Sequence, residues 1–140
     1  MQLNLTTVYA IRCLACLAES PESMSSRAIC QNISLDREFT LKVLRRLRHA
    51  GLVEATRGKA GGFILAKPAD EISLWKVIEV TEDSTQISKS LDPERTRLLD
   101  PRYVSRESLL FHHLQGHIEK LFGGLTLQNV LDDEYIALGA

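Results

Sequence analysis

Along most of the chain, apolar residues recur at intervals of three and four, the spacing that gathers side chains on one face of an α-helix. Val8, Ile11, Leu14, Ala15 and Ala18 predict a first helix over residues 7–19, capped by Thr6 or Thr7 and broken by Ser20-Pro21-Glu22. A second helix over 26–31 has Ser25 as its N-cap and Ala28 and Ile29 facing inward, and Asn32-Ile33-Ser34 forms a turn. A third helix runs from Leu35 to just before Gly51. Ser34 is its expected N-cap, Asp36 and Glu38 put carboxylates in the first turn where the helix dipole favours them, and Gly51 is the C′ glycine. On a wheel of about 100° per residue, Phe39, Val43, Leu44, Leu47 and Ala50 gather on one side. Glu38, Lys42, Arg45 and His49 gather on the other, flanked by Arg37 and Arg48.

The pattern then changes. Leu52-Val53-Glu54-Ala55-Thr56 and Phe63-Ile64-Leu65-Ala66 read as short strands around Arg57-Gly58-Lys59-Ala60-Gly61-Gly62, a β-hairpin with two cations in its Gly-rich loop. Ser73 caps a fourth helix bearing Leu74, Trp75, Val77 and Ile78, with Trp75 expected in the core against the N-terminal unit. Residues 83–101 are polar, contain Pro93 and Pro101, and read as a surface loop with room for one helical turn. A long helix over 104–122 carries Phe111, Leu114, Ile118, Leu121 and Leu125 at 3-4-3-4 spacing, a heptad-like packing face. Gly123-Gly124 ends it, and Thr126 caps a short terminal helix with Leu127, Val130 and Leu131.

The fold class that follows is mainly α with a small β-hairpin. Residues 1–82 form the helical domain with its hairpin, 83–102 a loop, and 103–140 the long helix with a short terminal one. At 140 residues and 44% hydrophobic, the chain can bury a core without disulfide staples. No apolar run approaches the ~18–20 residues of a membrane span, and the N-terminus has no signal-peptide pattern. Three cysteines, an odd number, fit reduced thiols, so a cytoplasmic location is expected.

The net charge of −1 conceals an asymmetry. Residues 37–67 hold eight Lys/Arg against two acids, a net of +6, and the remainder is −7. This basic patch coincides with the third helix and the hairpin loop, so it has the shape of a winged helix-turn-helix. The major groove of B-DNA admits an α-helix and offers distinguishable base edges, and residues near the start of such a helix are the ones that reach them. The expected partner is double-stranded DNA. An enzyme is not expected: the glycines at 58–62 open a strand rather than a helix and so make no phosphate-binding loop, and no nucleophile–base grouping stands out. A protein-interaction adaptor that has lost DNA binding is the remaining alternative.

The same residues carry a resemblance. Leu5-Thr6-Thr7-Val8-Tyr9-Ala10-Ile11-Arg12 resembles the opening motif of the Rrf2 regulators, the family of the iron–sulfur, nitric-oxide and cysteine-metabolism repressors. Leu47-Arg48-His49-Ala50-Gly51-Leu52-Val53 resembles its "LR-x-AGLV" run, and the segment from Arg57 to Ala66 resembles its wing. Pro68 with Glu71-Ile72-Ser73-Leu74, and Leu125-Thr126-Leu127-Gln128-Asn129-Val130-Leu131, match the motifs that follow. The resemblance implies a homodimer joined through the long helix, with Phe111, Leu114, Ile118, Leu121 and Leu125 at the interface, binding a pseudo-palindromic operator. It implies DNA contacts at Ser34, Asp36, Arg37, Glu38, Arg57 and Gly58; charge and helix face add Lys42, Arg45 and Lys59.

Cluster-binding relatives carry cysteines, often with a histidine, in the loop before the long helix. Here residues 83–107 contain neither, and Ser105 and Ser108 fall where the last ligands would lie. Hydroxyls are poor substitutes for the thiolates that hold iron–sulfur clusters. Val8 stands where some relatives place an acidic ligand. No iron–sulfur cluster and no other cofactor is therefore expected. Cys13, Cys16 and Cys30 read as small core residues, with a thiol redox switch or an unusual metal site as the alternatives. His113 and His117 stand at i,i+4, a spacing able to hold a metal, but no third ligand is evident, and a solvated or interface pair is the expectation. The signal is left open between a small-molecule effector, a regulatory protein and thiol oxidation.

Overall fold

The computed structural model describes residues 1–92 and 106–133. Their elements are α1 (Leu5–Glu19), α2 (Ser26–Ile33), α3 (Arg37–His49), β1 (Val53–Thr56), β2 (Gly62–Leu65), α4 (Leu74–Thr81), α5 (Arg106–Gly124) and α6 (Leu127–Leu131). Single 3-10 turns occupy Ala69–Glu71 and Lys89–Leu91. The second of these supplies the one helical turn expected in the polar segment, most of whose remainder lies outside the described residues.

One core organises the chain. Ala10, Cys13, Leu14 and Leu17 of α1 pack with Ile29 of α2, Val43, Leu44 and Leu47 of α3, Leu52 and Val53, and Ile72 and Val77. Leu127 of α6 joins this same cluster and is fully buried. The return from α5 is fixed by backbone pairing: Leu74 N–H donates to the Leu125 carbonyl (2.8 Å) and Leu127 N–H to the Ile72 carbonyl (2.9 Å). Thr126 begins α6 as expected, its N–H donating to Asn129 Oδ1 at 2.8 Å.

Four local expectations are corrected. Helix α1 is capped by Asn4, whose Oδ1 accepts from Thr7 N–H at 3.0 Å, and not by Thr6 or Thr7. Its core stripe runs through Thr7, Ala10, Leu14 and Leu17, while Val8 is exposed. Thr7 is free to sit in the core because its hydroxyl lies 2.6 Å from both Thr81 Oγ1 and Glu82 Oε1. Helix α2 continues to Ile33, and Ser34 ends it in the left-handed conformation (φ 54°, ψ 48°). The cap of α3 is accordingly Asp36, whose carboxylate oxygens accept from Phe39 N–H at 3.0 and 3.1 Å. A carboxylate is the better choice there, since it also faces the positive end of the helix dipole. Gly51 follows α3 with φ +76°, as the C′ position requires.

Trp75 is also displaced from its expected place. It is half-buried, stacks on Phe122 of α5 with centroids 6.4 Å apart, and donates from Nε1 to Glu79 Oε1 at 3.0 Å. It therefore joins α4 to α5, not α4 to the N-terminal helices. A second tie to α5 comes from Gln115, the buried residue of that helix. Its Oε1 accepts from Ile87 N–H (2.9 Å) and its Nε2 donates to the Thr85 carbonyl (2.9 Å).

The three thiols lie in or beside this core. Cys13 and Cys16 are buried and Cys30 is half-buried. Burial, reinforced by the nearby Cys16 and Cys30, pushes the Cys13 thiol up to about 12, and burial and then the Glu19 charge raise Cys16.

Two outcomes follow from this packing. Leu44→Ala removes a fully buried side chain from the α1–α3 contact and should cost about 2–5 kcal/mol, read as a lower urea midpoint; an unchanged midpoint would refute the core assignment. The folded chain retains the Cys13 proton up to a higher pH than the unfolded chain. Stability should be full below pH 9.0, the ordinary thiol value, and decline as pH rises toward about 12. Urea melts across that window should show a shallower decline in Cys13→Ala.

Candidate nucleic-acid interface

Helix α3 separates its two faces cleanly. Thr40, Val43, Leu44 and Leu47 are buried, while Arg37, Glu38, Lys42, Arg45, Arg48 and His49 are exposed. Thr40, missed as a core residue because it is polar, is accommodated by donating its hydroxyl to the Asp36 carbonyl at 2.8 Å. The Asp36, Glu38, Phe39, Lys42 and Arg45 side chains line a shallow hollow toward the N-terminal end of the helix. Among the described residues none hydrogen-bonds or ion-pairs with the Arg37, Lys42 or Arg45 side chain, so these cations are available to a ligand. Arg46 is different. Its Nη1 donates to the Thr81 carbonyl at the end of α4 (3.1 Å), so this part of the sequence's +6 segment is used inside the fold.

The wing is built by register and by a neighbour. Strands β1 and β2 pair antiparallel with Val53 opposite Leu65 and Thr56 opposite Gly62. Thr56 Oγ1 closes the loop by accepting from Gly62 N–H at 3.0 Å. Gly61 N–H donates to the Gly58 carbonyl (2.9 Å), a tight turn with Gly58 at φ +103°. The segment before α2 then adds a one-residue third strand: Met24 and Phe63 exchange backbone hydrogen bonds of 2.9 and 2.7 Å. A side chain at Gly62 would run into the Met24 backbone, so this close approach demands glycine. Ser23 Oγ also donates to the Ala60 carbonyl at 2.7 Å, tying the loop to the body of the domain. Arg57, Gly58 and Lys59 are exposed at the tip of this braced hairpin.

The structure thus brings Arg37, Glu38, Lys42 and Arg45 onto one exposed face of α3 and holds Arg57, Gly58 and Lys59 on the wing. Ser34 stands outside that helix as the end of α2, and Asp36 is engaged as a cap. One cation near α3 was not singled out from the sequence. Tyr9 meets Phe39 edge-on at 5.6 Å, and the Arg12 guanidinium lies over the Tyr9 ring at 5.4 Å. Arg12 therefore stands on α1 beside the start of α3. Its i,i+3 spacing from Tyr9 is the signal that could have found it.

The residues expected at the dimer seam divide between two environments. Phe111, Ile118 and Leu125 are half-buried within the chain. Leu114 and Leu121 are 40% and 54% exposed, and Leu110, one turn before Leu114, is 53% exposed. The uncovered stripe on α5 is Leu110, Leu114 and Leu121.

The thiols do not fit a cluster. Cys13 and Cys16 lie among core side chains, with Cys16 Sγ 3.6 Å from Met24 Sδ. Among the described residues no group of three or more His, Cys, Asp or Glu could hold a metal ion. Ser108 lies in the first turn of α5, and Ser105 lies outside the described residues.

Residues 3–133 match the family model of Rrf2, described as an iron-dependent transcriptional regulator. The chain is 32% identical over 139 residues to the HTH-type transcriptional regulator NsrR of Halalkalibacterium halodurans, covering 96% of this chain and 92% of that protein. It is 39% identical over 93 residues to the protein aau3 of Rhizobium meliloti, a match spanning 66% of this chain and 60% of that one. Its fold is similar to that of CymR, the global cysteine regulator of B. subtilis, with a TM-score of 0.73 at 21% identity over 93% of this chain and 95% of that one. No helix among the described residues is long and apolar enough to cross a membrane. The chain belongs to the Rrf2 family of DNA-binding transcriptional regulators, which are not enzymes.

Proposed function

We propose that this regulator binds a pseudo-palindromic operator in the cytoplasm as a homodimer, with α3 in the major groove and the wing on the adjacent backbone or minor groove. The observation that carries this reading is the separation of α3 into a buried apolar face and an exposed cationic one, beside a braced hairpin tipped by Arg57 and Lys59. Arg37 and Glu38, in the first turn of α3, are the base-facing pair. Lys42, Arg45, Arg57 and Lys59 contact phosphate, with the Gly58 backbone allowing close approach. Arg12 adds a phosphate contact from α1. Ser34 and Asp36 set the angle at which α3 enters the groove, through their roles in the turn and cap.

The dimer is supported by the exposed leucines of α5. Apolar side chains at Leu110, Leu114 and Leu121 follow a 4-then-7 spacing, one seam of a helix pair. A two-fold dimer presents two α3 helices to two half-sites, matching operator symmetry to protein symmetry. The signal is one other than a Cys-ligated cluster, because Cys13 and Cys16 are buried in the helical core and only Cys30 is partly exposed. A thiol switch is also disfavoured at Cys13 and Cys16, since raised thiols hold little of the nucleophilic thiolate near neutral pH. A small-molecule effector or a regulatory protein fits the arrangement better.

Two measurements test these assignments. Arg57→Ala should weaken binding to a duplex selected by the wild type by roughly tenfold and reduce the salt slope of log K by about one. Fluorescence anisotropy across a salt series reads both, and wild-type affinity in the variant would remove the wing from the interface. Leu114→Glu with Leu121→Glu should give a folded monomer by sedimentation equilibrium and circular dichroism. A persistent dimer would move the interface off α5.

A further inference from the structure

The uncovered stripe of α5 contains one residue that is not apolar. His117 continues the Leu110–Leu114–Leu121 line, falling three residues after Leu114 and four before Leu121. The four positions are then spaced 4-3-4, with a histidine where a core apolar residue would stand. His113 lies one turn before it, and the two rings converge. Their Nε2 atoms are 3.0 Å apart, with ring centroids at 4.5 Å and planes inclined by 79°. Both rings are exposed, so this convergence is a surface feature rather than core packing.

Two Nε2 atoms so close share a single hydrogen between them, or a metal ion in its place. Two ligands of a tetrahedral zinc at ~2.0–2.1 Å stand about 3.3 Å apart, close to the separation seen here. The pair therefore has the spacing of a bidentate chelate. Among the described residues of one chain no third His, Cys, Asp or Glu completes it. The leucine stripe indicates what does. Its midpoint falls between Leu114 and His117, so two copies packed antiparallel about a two-fold axis there bring their histidine pairs together at the centre of the seam. The outer positions, Leu110 and Leu121, then meet each other across the interface.

We propose that His113 and His117 form half of an inter-subunit site for a first-row divalent metal such as zinc, completed by the same pair of a second copy. This rests on the α5 dimer given above. Each half supplies two neutral imidazoles through Nε2; the hydrogen held between them moves to an Nδ1, so both lone pairs face the ion. Four imidazole ligands make a closed, tetrahedral site of the structural kind. A metal there binds the four-ligand dimer more tightly than the two-ligand monomer, and so tightens association.

The test uses the full chain, stripped with EDTA and titrated with zinc alone. Expected are one zinc per two chains by calorimetry and a dimer dissociation constant lowered at least about tenfold by zinc in sedimentation equilibrium. Both effects should vanish in His113→Ala and His117→Ala, which alter exposed side chains and leave the cysteines in place. Zinc bound equally by these variants, one zinc per chain, or no zinc bound by a chain that is dimeric in EDTA would each overturn the site while leaving the dimer intact. A chain that stays monomeric with and without zinc would overturn the dimer and the site with it.

Discussion

The burial of Val43, Leu44 and Leu47 against Ala10, Leu14 and Leu17 is the constraint from which the exposed cationic face of α3 follows. An amphipathic helix has one rotational setting that removes its apolar stripe from water. At about 25 cal/mol per Å² of apolar surface, turning α3 to expose three such side chains would cost several kcal/mol, comparable to the stability of a small domain. With that setting fixed, Lys42 and Arg45 face outward because their positions on the wheel leave them no other direction. The wing inherits its placement from the same contact, since Leu52, which leads into β1, and Val53, its first residue, are members of that core.

Polar groups finish what the apolar stripe begins. Asn4 caps α1 and also donates its N–H and Nδ2–H to Glu82 at 2.7 and 2.9 Å, so the start of the chain is held to the end of α4. Thr7 and Thr81, both fully buried, face each other in this clamp, and Arg46 reaches it from α3. Among the described residues no buried side-chain polar atom is left without a partner. Such groups are costly when unsatisfied, so the clamp fixes how α1, α3 and α4 sit relative to one another.

Helix α5 is covered on one side only by the described residues. Trp75, Phe122 and Gln115 bind one side of it to the domain, and its other side offers leucines to water. The division is what turns a uniform 3-4-3-4 pattern into two faces with different duties. One is used within the chain. The other is available to a second copy, with the His113–His117 pair at its centre.

The order of helices and strands, the amphipathic wheel of α3, the Gly-rich hairpin and the basic patch are legible along the chain, together with the family motifs that run through them. These are carried by local periodicity, by turn chemistry and by charges close in sequence, and need no knowledge of distant contacts. Packing between distant segments supplied the rest. It made Asn4 and Asp36 the caps, because a cap depends on which backbone N–H groups are left unpaired once neighbouring helices have met. It drew Thr7 and Thr40 into the interior, tied Arg46 to the Thr81 carbonyl and brought Arg12 beside the start of α3. On α5 it left Leu110, Leu114, His117 and Leu121 exposed, with Phe111, Ile118 and Leu125 half-buried. A helical period can say that two stripes exist, but only the packing of Phe122 and Gln115 against the preceding segments selects which stripe is already covered.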